Sequence, residues 1–384
     1  MKKIIFCADG TWNGPGHDQD IEPNECKTNV FRMFVNLAGQ DDAHGLMLGG
    51  EQERALRDAT GTVTQAAKYL HGVGDSHNPL VRMLGGVFGA GTITRIVRGY
   101  TYISRHYEPG DRITITGFSR GAYTARALAG LIAARGLLDA TRLDLDDREA
   151  AYRLGTAVWQ DWRRGASNGK FWSAALQESL LDLPGFVAAP MTDKRLTNVP
   201  VEAVGVWDTV GSLGIPDYVG LSGRVDMFRF ADVKLADAVQ YGFHAIAIDE
   251  RRADFAPTYW QPDPRIIQCL FPGAHADVGG GYTIANNESG LSDAAFVWMK
   301  DHFAAVGVQF LPHSPVSITP DARGVAHQPW TEFPFSSAAQ GPRELPDGLA
   351  VAPSTRERLA AGPVQPSPEL PPRIYRPINL ADYI

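Results

Sequence analysis

The stretch RITITGFSRGA at residues 112–122 limits what this chain can fold into more than any other segment. Within it, Gly117-Phe118-Ser119-Arg120-Gly121 is a G-x-S-x-G pentapeptide. Upstream, Ile113 and Ile115 interleave with Arg112, Thr114 and Thr116, and the turn residues Glu108, Pro109, Gly110 and Asp111 give the strand a clean start. Downstream, YTARALAGLI at 123–132 is rich in helix formers. A serine on so tight a strand-to-helix turn has a strained backbone, and only small residues fit two positions to either side of it. Gly117 and Gly121 meet that demand. The helix N-terminus beneath Ser119 favours negative charge there. Strand, serine turn and helix together predict a nucleophile elbow.

The rest of the chain alternates strand and helix signals. Residues 3–8 read as an apolar strand ending in the turn Asp9-Gly10-Thr11-Trp12-Asn13. A mixed segment at 14–61 holds one helix near 29–37, and a strand follows at 66–70. The glycine-rich run at 85–91 lacks the Gly-Lys-Ser/Thr of a phosphate loop and reads as a close-packed turn or mobile loop. Ile93, Ile96, Val97, Tyr100, Ile103 and Tyr107 recur at helical spacing. The near-continuous apolar run at 200–207 suits a buried parallel strand, with another at 265–271 and a helix at 292–306. This pattern predicts an α/β class: an α/β-hydrolase-like, mostly parallel sheet flanked by helices.

Two departures from the rhythm set the expected organisation. Residues 139–200 form a helical insertion, with a charged helix over 145–164 and the aromatic residues Trp159, Trp172 and Phe186. Those three serve either a lid over the site or the packing of the inserted helices. From about residue 310 the composition shifts, and more than half of the 26 prolines of the chain fall there. Residues 1–310 are therefore expected to be the catalytic domain. Residues 311–384 are expected to be a Pro-rich C-terminal tail wrapping that domain, in part mobile.

Composition removes several function classes. A net charge of -7 without a basic run argues against nucleic-acid partners, which are held by clustered Lys and Arg. Cys7, Cys26 and Cys269 are too few and too scattered for a disulfide framework or a zinc site. The apolar start breaks at Asp9, too early for a signal peptide, and no apolar run approaches the length of a transmembrane span. The expected location is the cytoplasm of the producing cell, with any lipid met at an interface.

In parallel sheets, reactive groups collect at the carboxyl ends of strands. Ser119, Asp208 and His275 each follow such a strand, in the chain order serine, acid, histidine of α/β-hydrolases. Ser119 would be the nucleophile, His275 its general base and then the acid for the leaving group, and the acid would fix the imidazole tautomer. Asp208 is the first candidate for that acid; Asp277, two residues beyond the histidine, and Asp9 are the alternatives. The oxyanion would be met by the backbone N–H of Arg120, with Gly10, Thr11 or Trp12 of the first loop supplying a second donor. The chemistry needs no cofactor and no metal; a metal-dependent phosphodiesterase would require Asp9, Asp208, Asp277 and His275 to cluster.

The strings CADGTWN, YLHGVG, GAGTITRI, YEPGDRITITGFSRGAYTARALAGLI, VGVWDTVGSLG, RRADFAPTYW and FPGAHADVGGGY stand in this order over roughly residues 3–300. Together they resemble a largely uncharacterised α/β-hydrolase domain family that includes the type VI secretion phospholipase effectors (Tle-type lipases). PSTRERL and YRPINL resemble its closing segment. The resemblance implies Ser119, Asp208 and His275 as the triad and cleavage of glycerophospholipid acyl esters. For a secreted effector it implies contact-dependent export with an immunity or delivery protein as partner. Effectors of the group often carry extra membrane-associating or delivery regions, so a chain beginning at the first strand also suits a small-ester or polyester esterase. The reading from another class is a non-catalytic interaction module on a hydrolase scaffold.

Overall fold

The computed structural model describes residues 1–10, 27–41, 51–71, 88–166, 190–210, 233–333 and 335–383. Its frame is a nine-stranded sheet among the described residues. In chain order the strands are β1 (Lys3–Ala8), β2 (Gln40–Asp41), β3 (Glu51–Arg57), β4 (Val63–Leu70) and β5 (Arg112–Phe118). After a small antiparallel pair, β6 (Leu137–Leu138) and β7 (Arg195–Leu196), come β8 (Val201–Trp207), β9 (Val239–Ala247), β10 (Ile266–Phe271) and β11 (Ala350–Val351). Across the sheet the order is β11-β10-β9-β8-β5-β1-β4-β3-β2. Every pairing from β11 to β4 is parallel; only β3 and β2 join antiparallel.

The alternation of side chains along each strand divides the core in two. Ile4, Phe6, Ile113 and Ile115 point to one face and meet α2 (Phe88–His106), α3 (Arg120–Arg135) and α4 (Arg148–Ala166) through residues such as Ile96, Leu128 and Val158. Ile5, Cys7 and Ala203 point to the other and meet α1 (Asn29–Asn36) and α6 (Gly290–Ala305) through Phe34, Phe296 and Phe303. A helix layer therefore covers each face, so strands such as β8 are buried at every position. The α1 N-terminus is capped by Thr28, whose side chain accepts from the Phe31 N–H at 3.1 Å.

Several elements differ from the sequence expectation, each for a visible reason. Of the turn or loop expected at 85–91, residues 85–87 lie outside the described residues, and 88–91 belong to α2, which begins at Phe88. Strand β9, VQYGFHAIA, has no counterpart in the expectation because Gln240, Gly242 and His244 interrupt its apolar pattern. Strand β3, EQERALR, reads as polar coil, yet Glu51 and Glu53 pair with Lys68 of β4 at 2.8 and 2.9 Å. The glycine-rich stretch that follows β10 and carries His275 contains a one-turn helix, α5 (His275–Gly279), which no periodicity announces. Trp159 is a core residue, 3% exposed and edge-on to Trp162 at 5.3 Å, so the inserted helix packs beside α2 and α3. Trp172 and Phe186, the rest of the expected lid, lie outside the described residues.

The proline-rich tail lies on the far edge of the sheet. β11 extends it by pairing with β10, and α7 (Pro353–Ala360) anchors there through the Thr355 hydroxyl, which donates to Leu270 O at 2.8 Å. The buried Arg358 donates to Ala322 O and Gly324 O, both at 2.8 Å, tying the two ends of the tail together.

Close approach explains the elbow glycines. A methyl group at Gly117 would stand 2.2 Å from Gly121 O, and one at Gly121 would stand 2.0 Å from Ala8 O. Backbone atoms cannot yield to that overlap. Gly121→Ala is expected to lower the stability of the domain by about 3 kcal/mol, read as a shift in the midpoint of chemical denaturation. An unchanged midpoint would show that α3 is not held against β1 as described.

Candidate active site

Adjacent parallel strands bring their carboxyl ends to one edge of the sheet, and the chemistry gathers there. β1 ends at Asp9 and Gly10, β5 at Ser119, β8 at Asp208, and β10 leads into α5 and His275. Ser119 has φ 56° and ψ -123°, a conformation that L residues avoid. Asp208, with φ 39°, shares the left-handed side of backbone space. Such strain costs on the order of 1–3 kcal/mol per residue and persists only where surrounding contacts hold it. At Ser119 those contacts are the N–H donating to Trp207 O at 3.1 Å and the two glycines. At Asp208 they are the N–H donating to Ala245 O at 2.8 Å and the Ala247 N–H donating to Oδ1 at 3.0 Å.

His275 joins the two strand ends. Its Nδ1 lies 2.5 Å from Asp208 Oδ2, and its ring packs on Phe118, the residue before the serine, at 4.5 Å between centroids. The ring of Phe255 meets His275 edge-on from the other side at 5.0 Å. The His275 N–H donates to Glu250 Oε2 at 3.2 Å, and Glu250 is held in turn by the Arg252 guanidinium. Gly279 of α5 presses so closely on Phe118 that a methyl group there would overlap its ring. Ser119 and His275 are 9% and 6% exposed, so the site is shielded while remaining at the surface edge.

Asp208 is fully buried. Burial opposes its charge, but the Arg343 guanidinium and the hydrogen bond from His275 outweigh that and hold the carboxyl well below the usual carboxylate range. Arg343 Nη1 donates to Oδ1 at 2.6 Å and Nη2 to Oδ2 at 2.9 Å. Burial also pulls the imidazole of His275 below the ordinary histidine value, against the raising pull of Asp208. A neutral ring bonded to the carboxylate through Nδ1 keeps its proton there and leaves Nε2 as the basic atom.

The two alternative acids are engaged elsewhere. Asp9 accepts from Tyr69 OH at 2.6 Å, Thr28 Oγ1 at 2.7 Å and the Gly10 N–H at 2.6 Å, and burial pushes its carboxyl up to about 6. Asp277 accepts from the Ala274 N–H at 2.8 Å and lies 2.7 Å from Nδ1 of His327, whose ring stacks on Tyr282. Both fix loops at the rim of the site. Asp9, Asp277 and Asp208 thus face different partners, and among the described residues no group of three or more His, Cys, Asp and Glu is arranged to hold a metal ion.

The expected oxyanion donors divide. Arg120 is the first residue of α3, directly after Ser119. Gly10 lies beside Ser119, since a methyl group on it would be 3.4 Å from Ser119 Cβ, yet its N–H is taken by Asp9. Thr11 and Trp12 lie outside the described residues. Sequence reasoning missed Arg343 entirely, because nothing in GPREL of the tail marks it and it is 135 positions from its partner. Arg252 and Phe255 stood inside the recognised string RRADFAPTYW, which was the available signal for them.

The Asp208–Arg343 pair generates a stability prediction. Asp208→Asn keeps the shape but leaves a guanidinium buried without its counter-charge, and breaking a buried pair in this way costs about 3–5 kcal/mol. Urea denaturation at neutral pH is expected to show a loss of that order; a loss under about 1 kcal/mol would mean that water screens the pair.

Comparison with known proteins bears on the chain as a whole. The catalytic domain of the type VI secretion Tle1-like phospholipase effectors matches residues 2–302. The uncharacterized protein YEL023C of Saccharomyces cerevisiae is 26% identical over 271 residues, covering 69% of this chain and 33% of its own length. An uncharacterized protein from Pseudomonas aeruginosa has a similar solved structure, with TM-score 0.49 and 17% identity over 84% of this chain and 49% of its own. The Tle1 effector solved bound to the VgrG spike gives TM-score 0.40 and 18% identity over 73% of this chain and 51% of its own. The chain thus spans about a third of the yeast relative and about half of each solved protein. No helix among the described residues is long and apolar enough to cross a membrane. With its match running through every strand that carries the site, the chain belongs to the Tle1-like phospholipase effector catalytic-domain family.

Proposed function

We propose that this chain is a serine hydrolase that cleaves the acyl esters of glycerophospholipids through an acyl-enzyme. The observation that carries the proposal is a single constellation: a serine held at φ 56° between β5 and α3, and, packed on the ring of Phe118 that directly precedes it, a histidine whose Nδ1 is bonded to a buried, ionised aspartate. Family membership supports the substrate class.

Each residue has a step. Ser119 Oγ attacks the ester carbonyl while Nε2 of His275 takes its proton; Asp208 stabilises the imidazolium as it forms. The Arg120 N–H and the positive end of the α3 dipole face the oxyanion. Gly10 can add its N–H only by releasing Asp9. His275 then protonates the leaving alcohol, a lysophospholipid, and water activated by the same nitrogen releases the fatty acid. The substrate is met at a lipid interface. By analogy with the Tle1 effector bound to its VgrG spike, a delivery protein and contact-dependent export are part of the proposal, with an immunity protein as the matching partner.

Mass-spectrometric analysis of products from mixed phospholipid vesicles tests this directly, with short-chain soluble esters run in parallel. Wild type is expected to yield free fatty acid and lysophospholipid, and Ser119→Ala to lower the rate by about a thousandfold or more. Turnover of soluble esters alone would make the chain a general esterase, and serine-independent turnover would overturn the mechanism.

The pH profile follows from the same residues. His275 acts in its neutral form, and its pKa is depressed, so protonation removes activity only below 6.5, the ordinary histidine value. The acid limb of kcat/KM is expected there, and a limb above 6.5 would show that another group is titrating.

A further inference from the structure

We infer that Arg343, contributed by the proline-rich tail, is a positioning residue of the catalytic acid: it orients Asp208 and sets the proton affinity of the Asp208–His275 pair. The inference rests on the serine-hydrolase assignment above and extends it to a residue outside the matched region, which ends at 302.

The geometry is that of a clamp. Arg343 is buried, and its two terminal nitrogens make four hydrogen bonds. Two go to the Asp208 oxygens at 2.6 and 2.9 Å, one to Ala247 O at 2.7 Å and one to Phe255 O at 2.6 Å. A planar guanidinium meets a carboxylate this way in one orientation only, so the plane of Asp208 is fixed by the tail. Ala247 ends β9, and Phe255 carries the ring that packs edge-on against His275. One side chain thus couples the acid, the end of the neighbouring strand and the wall of the histidine.

The tail segment is itself held. Tyr259 OH donates to Glu344 O at 2.9 Å, the Gly341 N–H donates to Arg251 O at 2.9 Å, and Asn379 Nδ2 donates to Arg343 O at 3.2 Å and Ile248 O at 3.0 Å. The carbonyls of Ala247 and Phe255 accept the terminal N–H groups that Asp208 leaves over, so the guanidinium is fixed on the carboxylate from two further directions.

Other charged or titratable groups face the pair: Glu250 and Arg252 from the loop after β9, Tyr259 beyond it, and His244 within β9, itself near Arg126 of α3. Glu250 and Arg252 are bonded to each other and largely cancel. Arg343 is therefore the net positive charge that keeps a proton off the pair. Without it, Asp208 and His275 bind a proton at higher pH, whichever of the two holds it.

Full-length wild type, Arg343→Gln and Arg343→Lys are compared in two ways. The first is 15N NMR of histidine-labelled protein, with His275→Gln for assignment, which reads the titration of the pair without any substrate. The second is the pH profile of kcat and KM on the ester that wild type turns over. For Arg343→Gln, the NMR titration and the acid limb are expected to move up by at least about one pH unit, with kcat reduced at least tenfold and KM unchanged. Arg343→Lys keeps the charge without the fork and is expected to fall between Gln and wild type. Should Gln not fold, the Lys variant decides by the same criterion of an upward limb at constant KM.

A folded variant whose titration and acid limb match wild type overturns the inference and leaves Arg343 as an anchor for the tail. So does a fall in kcat without a displaced limb. Wild type that hydrolyses no ester would remove the functional assignment, and the NMR arm would still report whether Arg343 governs the pair.

Discussion

A carboxylate with no exposure to water, gripped by a guanidinium brought back from the far end of the chain, is the interaction around which the rest of this structure is organised. A charge of that kind is expensive to bury alone and tolerable only when its oxygens are fully bonded. Asp208 meets the condition with Arg343, His275 and the Ala247 amide. The tail must therefore close over the sheet before the site exists electrostatically, even though eight of the nine strands described in that sheet lie within the first 271 residues.

Two non-glycine residues in left-handed conformations stand at the ends of neighbouring strands, and they are the two the chemistry would use. Their strain is offset by different means. Ser119 is wedged by close backbone approach, with Gly117 and Gly121 leaving no room to relax. Asp208 is pinned by its side chain. The elbow is consequently sensitive to volume, and the acid to charge. That division explains why a one-carbon change at Gly121 and an isosteric loss of charge at Asp208 are both expected to be severe.

What could be read from the chain beforehand follows the range of the interactions. The elbow was legible because strand, glycines and helix lie within one short segment and each obeys local rules. Asp208 and His275 were legible as residues after strands, though choosing among Asp208, Asp277 and Asp9 required tertiary contacts: all three follow or adjoin a strand end, and all three are buried. β9 was missed because its polar positions are satisfied by tertiary partners. His244 is bonded to the Thr209 amide at 3.1 Å and to Gln268 at 3.3 Å, and neither partner shows in a periodicity. Arg343 had no local signal, since its meaning lies wholly in a partner on another strand.

The neighbourhood of Asp9 sharpens what the site can do. Asp9 stands directly before Gly10, and a methyl group on Gly10 would be 3.4 Å from Ser119 Cβ, so the end of β1 runs beside the serine. Burial favours the neutral acid and pushes its titration up to about 6, while Tyr69, Thr28 and Gly10 donate to its oxygens and Arg95 donates to its carbonyl. The guanidinium of Arg95 and the N-terminal end of α3 set positive potential against it on the serine side. The end of β1 thus keeps a carboxylate fixed by three hydrogen bonds and holds Gly10 beside Ser119. Because the Gly10 N–H is itself one of those three bonds, Asp9 positions backbone there and withholds that N–H from an oxyanion, which leaves the N-terminal end of α3 to meet the charge that the proposed chemistry would develop.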